Sequence, residues 1–250
     1  MRLPLWGTGW IAAAMLAAGA TGAAAQGGPP MLTDDPGTVP RGHWEVNTAF
    51  TVEALGRERT FEAPLIDANY GAGTHLQLKL EGPLVVAAAP GGPSRTAVGN
   101  LNAGVKWRFL DQHGARGVDV STYPALTFGF PGARRDPDVD DPVPQLFLPI
   151  EVAHSWGAFA LNADAGYNFR SRRPDEVSAG LAAGWTPREG WEWVLEVHET
   201  RERETGEQER YANAGLRHDL ASHVTLLASA GRSLDAAPAL IGYLGLQLTR

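Results

Sequence analysis

The stretch FALNADAGYNFR, Phe159 to Arg170, alternates apolar and polar side chains almost residue by residue. Successive side chains of a β-strand point to opposite faces, so this pattern predicts a strand with one apolar and one polar face. The apolar face carries Phe159, Leu161, Ala163, Ala165, Tyr167 and Phe169, and the polar face carries Asn162, Asp164, Gly166, Asn168 and Arg170. The stretch is about twice as long as an ordinary strand of roughly 5–6 residues.

The same alternation recurs along the rest of the chain. A helical period of 3.6 is absent, and 30 glycines and 18 prolines disfavour helices. Pro64 and Pro149 interrupt the second and sixth segments, and no composition break divides residues 42–250, which we treat as one domain. We predict about twelve strands, near 43–53, 60–70, 74–86, 97–110, 118–130, 144–154, 157–170, 176–186, 190–199, 209–219, 223–232 and 239–249.

Alternation does not say which face is buried, so a soluble periplasmic β-protein and a membrane barrel are both open. Strands of roughly 9–11 residues suit a tilted crossing of a bilayer. The tryptophans after the N-terminal region all fall on the apolar parity near segment ends, as an interfacial aromatic girdle requires. These residues are Trp44, Trp107, Trp156, Trp185, Trp191 and Trp193. The sequence therefore predicts an all-β protein, an antiparallel transmembrane β-barrel of about 12 strands.

Connection lengths support the same fold. Short connections at 71–73, 155–156, 187–189 and 221–222 alternate with long ones at 87–96, 131–143 and 200–208, and 111–117 is the exception. Outer-membrane barrels have short periplasmic turns, long external loops and periplasmic termini. The chain ends in Leu248, Thr249 and Arg250, without the aromatic residue that commonly closes such barrels.

The N-terminal region predicts export. Arg2, a short apolar stretch and Ala23 to Ala25 fit a cleaved signal peptide at residues 1–25. A periplasmic leader at 26–41 and a barrel at 42–250 would follow, which predicts the bacterial outer membrane as location and the bilayer and lipopolysaccharide as partners. The net charge of -7 argues against nucleic acid, and the lack of cysteine excludes thiolate metal sites.

Parity assigns eight acids and five bases to the barrel interior. Charged side chains there must be paired or hydrated. Twelve strands lie between the filled 8-stranded barrel and the open 16–18-stranded channel, so we expect a narrow pore, mildly cation-preferring, or a plugged lumen. The predicted lumen residues are Glu45, Asp67, Lys79, Glu81, Lys106, Arg108, Asp119, Glu151, Asp164, Arg170, Glu192, Glu196 and Arg217.

Three other features were tested for chemistry. His154 and Ser155 are neighbours, and a strand would point them to opposite faces, so they predict no nucleophile and base pair. The aspartates of RRDPDVDDP, residues 134–142, match no calcium-loop motif, and the charge run at 200–210 suits a solvated loop. We predict no catalytic residue, no metal and no cofactor, and hence no enzyme.

The stretch PPMLTDDP, Pro29 to Pro36, followed by Gly42-His43-Trp44-Glu45, resembles a family of outer-membrane channels labelled "MetA-pathway of phenol degradation". The resemblance covers about 20 residues. It implies a β-barrel channel or transporter, linked to uptake of aromatic or other hydrophobic small molecules.

The leader has two interpretations. Asp34, Asp35 and Arg41 are too costly to place in lipid, so the segment either caps or enters the lumen or forms a flexible tail. If it enters, the question is whether Asp34 and Asp35 meet lumen arginines such as Arg108 or Arg217. For the whole chain we keep two functions open: a narrow channel for small solutes, and a structural or assembly-linked barrel with a plugged lumen.

Overall fold

In a computed structural model that describes residues 28–88, 92–111, 117–133, 144–235 and 239–250, the chain forms one closed antiparallel barrel. Apart from one four-residue segment that pairs on one side only, every strand pairs with neighbours on both sides, and the first and last strands meet along Glu45 to Leu55 and Ala239 to Thr249. The strands are β1 (Trp44–Leu55), β2 (Glu58–Gly71), β3 (Leu76–Ala88), β4 (Arg95–Val98), β5 (Asn100–Leu110), β6 (Asp119–Thr122), β7 (Ala125–Gly129), β8 (Gln145–Trp156), β9 (Phe159–Arg170), β10 (Glu176–Arg188), β11 (Trp191–Glu202), β12 (Gln208–Ala221), β13 (Val224–Ser233) and β14 (Ala239–Thr249).

Fourteen segments make twelve strands, because two strands are interrupted. β4 and β5 both pair with β3 and are separated by Gly99 alone. β6 and β7 both pair with β5 and with β8, and Tyr123 and Pro124 separate them. The predicted strand count and antiparallel barrel are therefore confirmed, and each predicted segment contains a strand or an interrupted strand.

The two prolines that weakened the sequence pattern do not break the barrel. Pro64 lies at a register shift between Glu62 and Leu65, where the missing N–H removes no regular ladder bond. Pro149 remains inside β8 opposite Gly166. Among the described residues, no helix is long and apolar enough to cross a membrane.

The two ends of the barrel differ in their connections. One end, which we call the terminal end, carries the start of β1 and the end of β14, and there Trp44 N donates to Arg250 O at 2.7 Å. The opposite end is called the loop end. The connections at the terminal end are 72–75, 111–118, 157–158, 189–190 and 222–223. At the loop end they are 56–57, 89–94, 130–144, 171–175, 203–207 and 234–238. The expected alternation of short and long connections holds with two exceptions, the long 111–118 at the terminal end and the tight turn at 56–57 at the loop end.

The barrel has its apolar face outside and its polar face inside. Leu195 on the outer wall is 66% exposed, while Glu151 on the inner wall is 0% exposed. A soluble β-protein would bury the first and expose the second. All six girdle tryptophans lie near the terminal end on the outer face, five of them exposed and Trp191 half-buried against His218, at 3.9 Å between ring centroids. The outer face therefore suits lipid, with one interfacial tryptophan belt.

Candidate functional site: a lumen occupied by the N-terminal leader

The leader, residues 28–42, lies inside the barrel rather than outside it. Its backbone is held by wall side chains, beginning with Glu196 on β11. The two carboxylate oxygens of Glu196 accept hydrogen bonds from the backbone N–H groups of Leu32, at 3.1 Å, and of Thr33. Asn213 Nδ2 on β12 donates to the same carboxylate at 3.2 Å. Glu196 thus satisfies two backbone donors that would otherwise be buried without partners.

Further wall groups hold the leader at both of its ends. Arg217 donates to Pro29 O and Ser229 donates to Pro30 O, each at 2.8 Å. Prolines have no N–H to donate, so the backbone of Pro29 and Pro30 can bind the wall only through the carbonyls. Nearer the terminal end, Val39 N donates to Gln77 Oε1 at 2.8 Å.

Glycines in the wall make room for the leader. A Cβ on Gly215 would overlap the Cε of Met31, and a Cβ on Gly180 would overlap the Oγ1 of Thr33. A Cβ on Gly71 would overlap the backbone carbonyl of Pro40. The inner wall is therefore shaped to the leader along its path, which a flexible tail would not require.

A buried ion cluster joins the leader to the wall. Lys106 Nζ on β5 lies 3.0 Å from Asp34 Oδ1 and 3.3 Å from Glu151 Oε2 on β8, and it donates to Asp35 O at 2.5 Å. Ser121 Oγ donates to Glu151. Burial would raise the pKa of Asp34, but the ammonium groups of Lys106 and Lys79 outweigh burial and hold that pKa below its ordinary value.

A second cluster surrounds Lys79 on β3. Its ammonium lies 3.5 Å from Asp67 and 3.5 Å from Glu81. The ring of Tyr123 lies beneath both lysines, 5.5 Å from Lys79 Nζ and 5.7 Å from Lys106 Nζ. The two clusters are thus linked by cation–π contacts of both lysines with the same tyrosine ring.

A third ionic network lies at the loop end. Arg170 contacts Glu176 at 3.1 Å and Glu202 at 2.5 Å and donates to Pro174 O at 2.6 Å. Asp175 accepts from Arg170 N at 3.1 Å. This network fixes the hairpin between β9 and β10.

Three cavities lie between the leader and the wall. One, of about 240 Å³, is at the terminal end and is lined by Glu45, Arg108 and Asp119 among others. Two are at the loop end, with volumes of about 310 Å³ and about 430 Å³. Asp34 and Lys79 line all three. These two side chains therefore mark the point where the leader divides the lumen.

None of the thirteen predicted lumen side chains is exposed. The structure brings Asp67, Lys79 and Glu81 together, and also Lys106 and Glu151, while Glu192 lies 3.8 Å from Arg217. Arg41 is exposed at the mouth, although it was grouped with the leader aspartates. Sequence reasoning missed the wall groups without charge, of which Gln77, Ser229 and the three glycines contact or face the leader.

For Asp34, the ion-pair partner in the structure is a lysine and not Arg108 or Arg217. Asp34 forms its ion pair with Lys106, while Arg217 binds a backbone carbonyl and Arg108 Nη2 lies 3.5 Å from Thr74 O. A leader side chain pairs with a wall residue that lies at the same level along the barrel axis. The alternation of side chains in the sequence does not give that level. Residues 28–42 lie inside the barrel, which favours the interpretation in which the leader enters the lumen.

His154 and Ser155 lie on opposite faces of β8. His154 is exposed on the outer face and stacks on Trp156 at 5.5 Å, whereas Ser155 lines the terminal-end cavity. The two side chains cannot form a nucleophile and base pair. The predicted signal peptide at 1–25 and the acidic stretch 134–142 lie outside the described residues.

Several solved structures have a similar fold. The COG4313 outer membrane channel from Pseudomonas putida F1 aligns with a TM-score of 0.68, covering 86% of this chain and 98% of that chain at 12% identity. The chain shares the barrel fold of that protein. The NanC porin (TM-score 0.60, 6% identity, 81% of this chain and 98% of that one) and the KdgM porin in complex with disordered oligogalacturonate (0.59, 7%, 82% and 98%) share it.

Sequence comparison adds no family. No protein-family model matches the chain, and no curated protein matches it. The resemblance of the leader to the phenol-degradation channel family therefore stays a prediction.

Proposed function

We propose that this protein is an outer-membrane channel for small solutes, narrowed by its own N-terminal leader. One observation carries the proposal: cavities open on both sides of the leader and meet at Asp34 and Lys79. A side-chain-filled barrel would leave no such path, and a wide porin would hold no such obstruction. Solute passage then requires the leader to shift or to leave a gap beside it.

The chemistry of the loop-end cavities supports solutes with an apolar part. The larger cavity is lined by Pro30, Met31, Leu32, Leu65 and Ile241, beside Lys79 and Glu81. Leu32 is 47% exposed although it lies inside the barrel. Such an apolar surface facing a polar wall favours small amphipathic compounds, of which the aromatic and hydrophobic solutes implied by the family resemblance are one class.

The test is ion conduction through pure refolded protein in planar bilayers. We expect small single-channel conductance for the full chain and a larger, more stable conductance after deletion of residues 28–36. A reversal potential in a KCl gradient should show cation preference, because eight of the thirteen predicted lumen charges are acidic. A matched deletion of loop residues 204–206 should leave conductance unchanged.

A second candidate function is a structural barrel with a permanently plugged lumen. The dense backbone contacts of the leader with Glu196, Arg217 and Ser229 favour it. This candidate predicts no conductance from the full chain at any voltage. Conduction by the full chain would exclude it, whereas conduction by the deletion variant alone would support it.

A further inference from the structure

The smaller loop-end cavity, of about 310 Å³, has an unbalanced charge. Its lining contains five acidic residues and two basic ones, the acids Asp34, Glu81, Glu151, Asp164 and Glu176 and the bases Lys79 and His198. Lys79 contacts Asp67 and Glu81, and Lys106 contacts Asp34 and Glu151. Asp164 is the acceptor for the backbone N–H of Asp34 at 3.1 Å. Acidic side chains therefore outnumber basic ones in the lining of this cavity.

Unpartnered acceptors in the same cavity wall are the second observation. Glu151 is 0% exposed and its Oε1 has no hydrogen-bond partner. Asp164 Oδ1 and Asn168 Oδ1 are also buried without a partner. All three residues line this cavity. Buried acceptors of this kind are costly unless a donor reaches them.

The cavity is open to a ligand from the loop end. The side chains of Glu81 and Asp34 remain 31% and 26% exposed. Tyr123, Phe147 and Leu32 supply apolar surface in the same wall. A volume of about 310 Å³ corresponds to about ten waters at roughly 30 Å³ each.

We propose that this cavity is a binding site for small aliphatic amines. Ammonium groups would donate to the unpartnered oxygens of Glu151, Asp164 and Asn168 and offset the excess negative charge, while the alkyl chain would lie on Leu32 and Phe147. A diamine matches the charge better than a monoamine. The proposal names a solute class for the proposed channel and in that sense rests on it.

Binding is measured by calorimetry on the full refolded chain in detergent, with 1,4-diaminobutane as the probe. The matched neutral compound is 1,4-butanediol, and MgCl2 at equal ionic strength tests for a general cation effect. We expect diamine binding in the wild type, no diol binding, and at least fivefold weaker diamine binding in Asp164→Asn and Glu81→Gln. Glu53→Gln, which lines only the other loop-end cavity among the three, should bind as wild type.

Absence of diamine binding, equal binding of the diol, full displacement by MgCl2, or unchanged affinity in both acidic-site variants would each overturn the proposal. Glu81 is partly exposed, so its variant is informative even if Asp164→Asn fails to fold. Single-channel conductance of the same preparation in KCl separates the two proposals. Conduction without diamine binding would reject the amine site alone.

Discussion

The ammonium of Lys106 on β5 lies 3.0 Å from the carboxylate of Asp34 in the leader, and both groups are largely buried. The same ammonium contacts the Glu151 carboxylate and donates a hydrogen bond to the backbone carbonyl of Asp35 in the leader. One wall side chain on β5 thus couples the leader to β8. The stability of the docked leader depends on this single charge more than on any exposed ion pair.

Replacing Lys106 with Met should release the leader. Met keeps much of the side-chain volume but leaves the Asp34 and Glu151 carboxylates without their shared partner. Removing one partner of a buried ion pair destabilises the folded state by about 3–5 kcal/mol. Limited proteolysis should cleave residues 28–42 at least tenfold faster than in the wild type. Arg41→Met is the control, since Arg41 is exposed. Equal cleavage of both variants would contradict a role for the ion cluster in docking.

The barrel could be predicted from sequence because its strands obey a local rule. Alternation located every strand, including the one through Pro149, since parity survives a single missing N–H. The leader obeys no such rule: Pro29 to Pro36 has no period, and its position is set by groups distant in sequence, such as Glu196. In the sequence, Gly180 and Gly215 look like ordinary small lumen residues. Only the structure shows that the leader packs closely against both.

Gly71→Ala should disturb the exit of the leader from the lumen. A Cβ there would overlap the backbone carbonyls of Val39 and Pro40, which cannot rotate away as a side chain can. Overpacking of this kind costs about 1–3 kcal/mol. Hydrogen exchange at Val39 should become faster. Gly73→Ala is the control, because its Cβ would meet Leu76 Cβ at an ordinary 3.6 Å. Unchanged exchange at Val39 in Gly71→Ala would show that the fit is loose.

The hairpin between β9 and β10 should loosen in acid. Asp175 accepts from the backbone N–H of Arg170 and from the Tyr167 hydroxyl, and these hydrogen bonds hold the pKa of Asp175 below its ordinary value near 3.8. A lowered pKa in the folded state gives stabilisation that is present above about pH 4 and lost as the pH falls through the lowered pKa.

The measurement is exchange of the Arg170 amide between pH 6 and pH 3, corrected for intrinsic rates. Protection should fall at the acidic end in the wild type, while Asp175→Asn should show lower protection with little pH dependence. Glu204→Gln, in the neighbouring loop-end connection, serves as the matched substitution and should follow the wild type. A pH dependence retained in Asp175→Asn would assign the titration to another group.

The tryptophan belt should lie at one headgroup level. Trp44, Trp107, Trp156, Trp185 and Trp193 are exposed on the outer face near the terminal end. Amphipathic rings prefer the interface to the hydrocarbon centre. In vesicles, lipids brominated close to the headgroup should quench tryptophan fluorescence more than lipids brominated near the chain ends. Stronger quenching by the deep label would place the belt inside the hydrocarbon and contradict the assigned bilayer position.

A disulfide between the leader and the wall should decide whether the leader moves during conduction. A Cβ on Gly180 would reach the Thr33 side chain, so cysteines at both positions fall within the short Cβ separation that a disulfide needs. The chain contains no other cysteine, which makes the pair unambiguous.

Oxidised Thr33→Cys/Gly180→Cys protein should show reduced or absent conductance, and reduction should restore it. The conductance of the Thr33→Cys single variant should be the same under oxidising and reducing conditions. Equal conductance of the oxidised and reduced double variant would mean that solutes pass beside a fixed leader, because a covalent link at mid-lumen leaves no other way for the segment to clear the path.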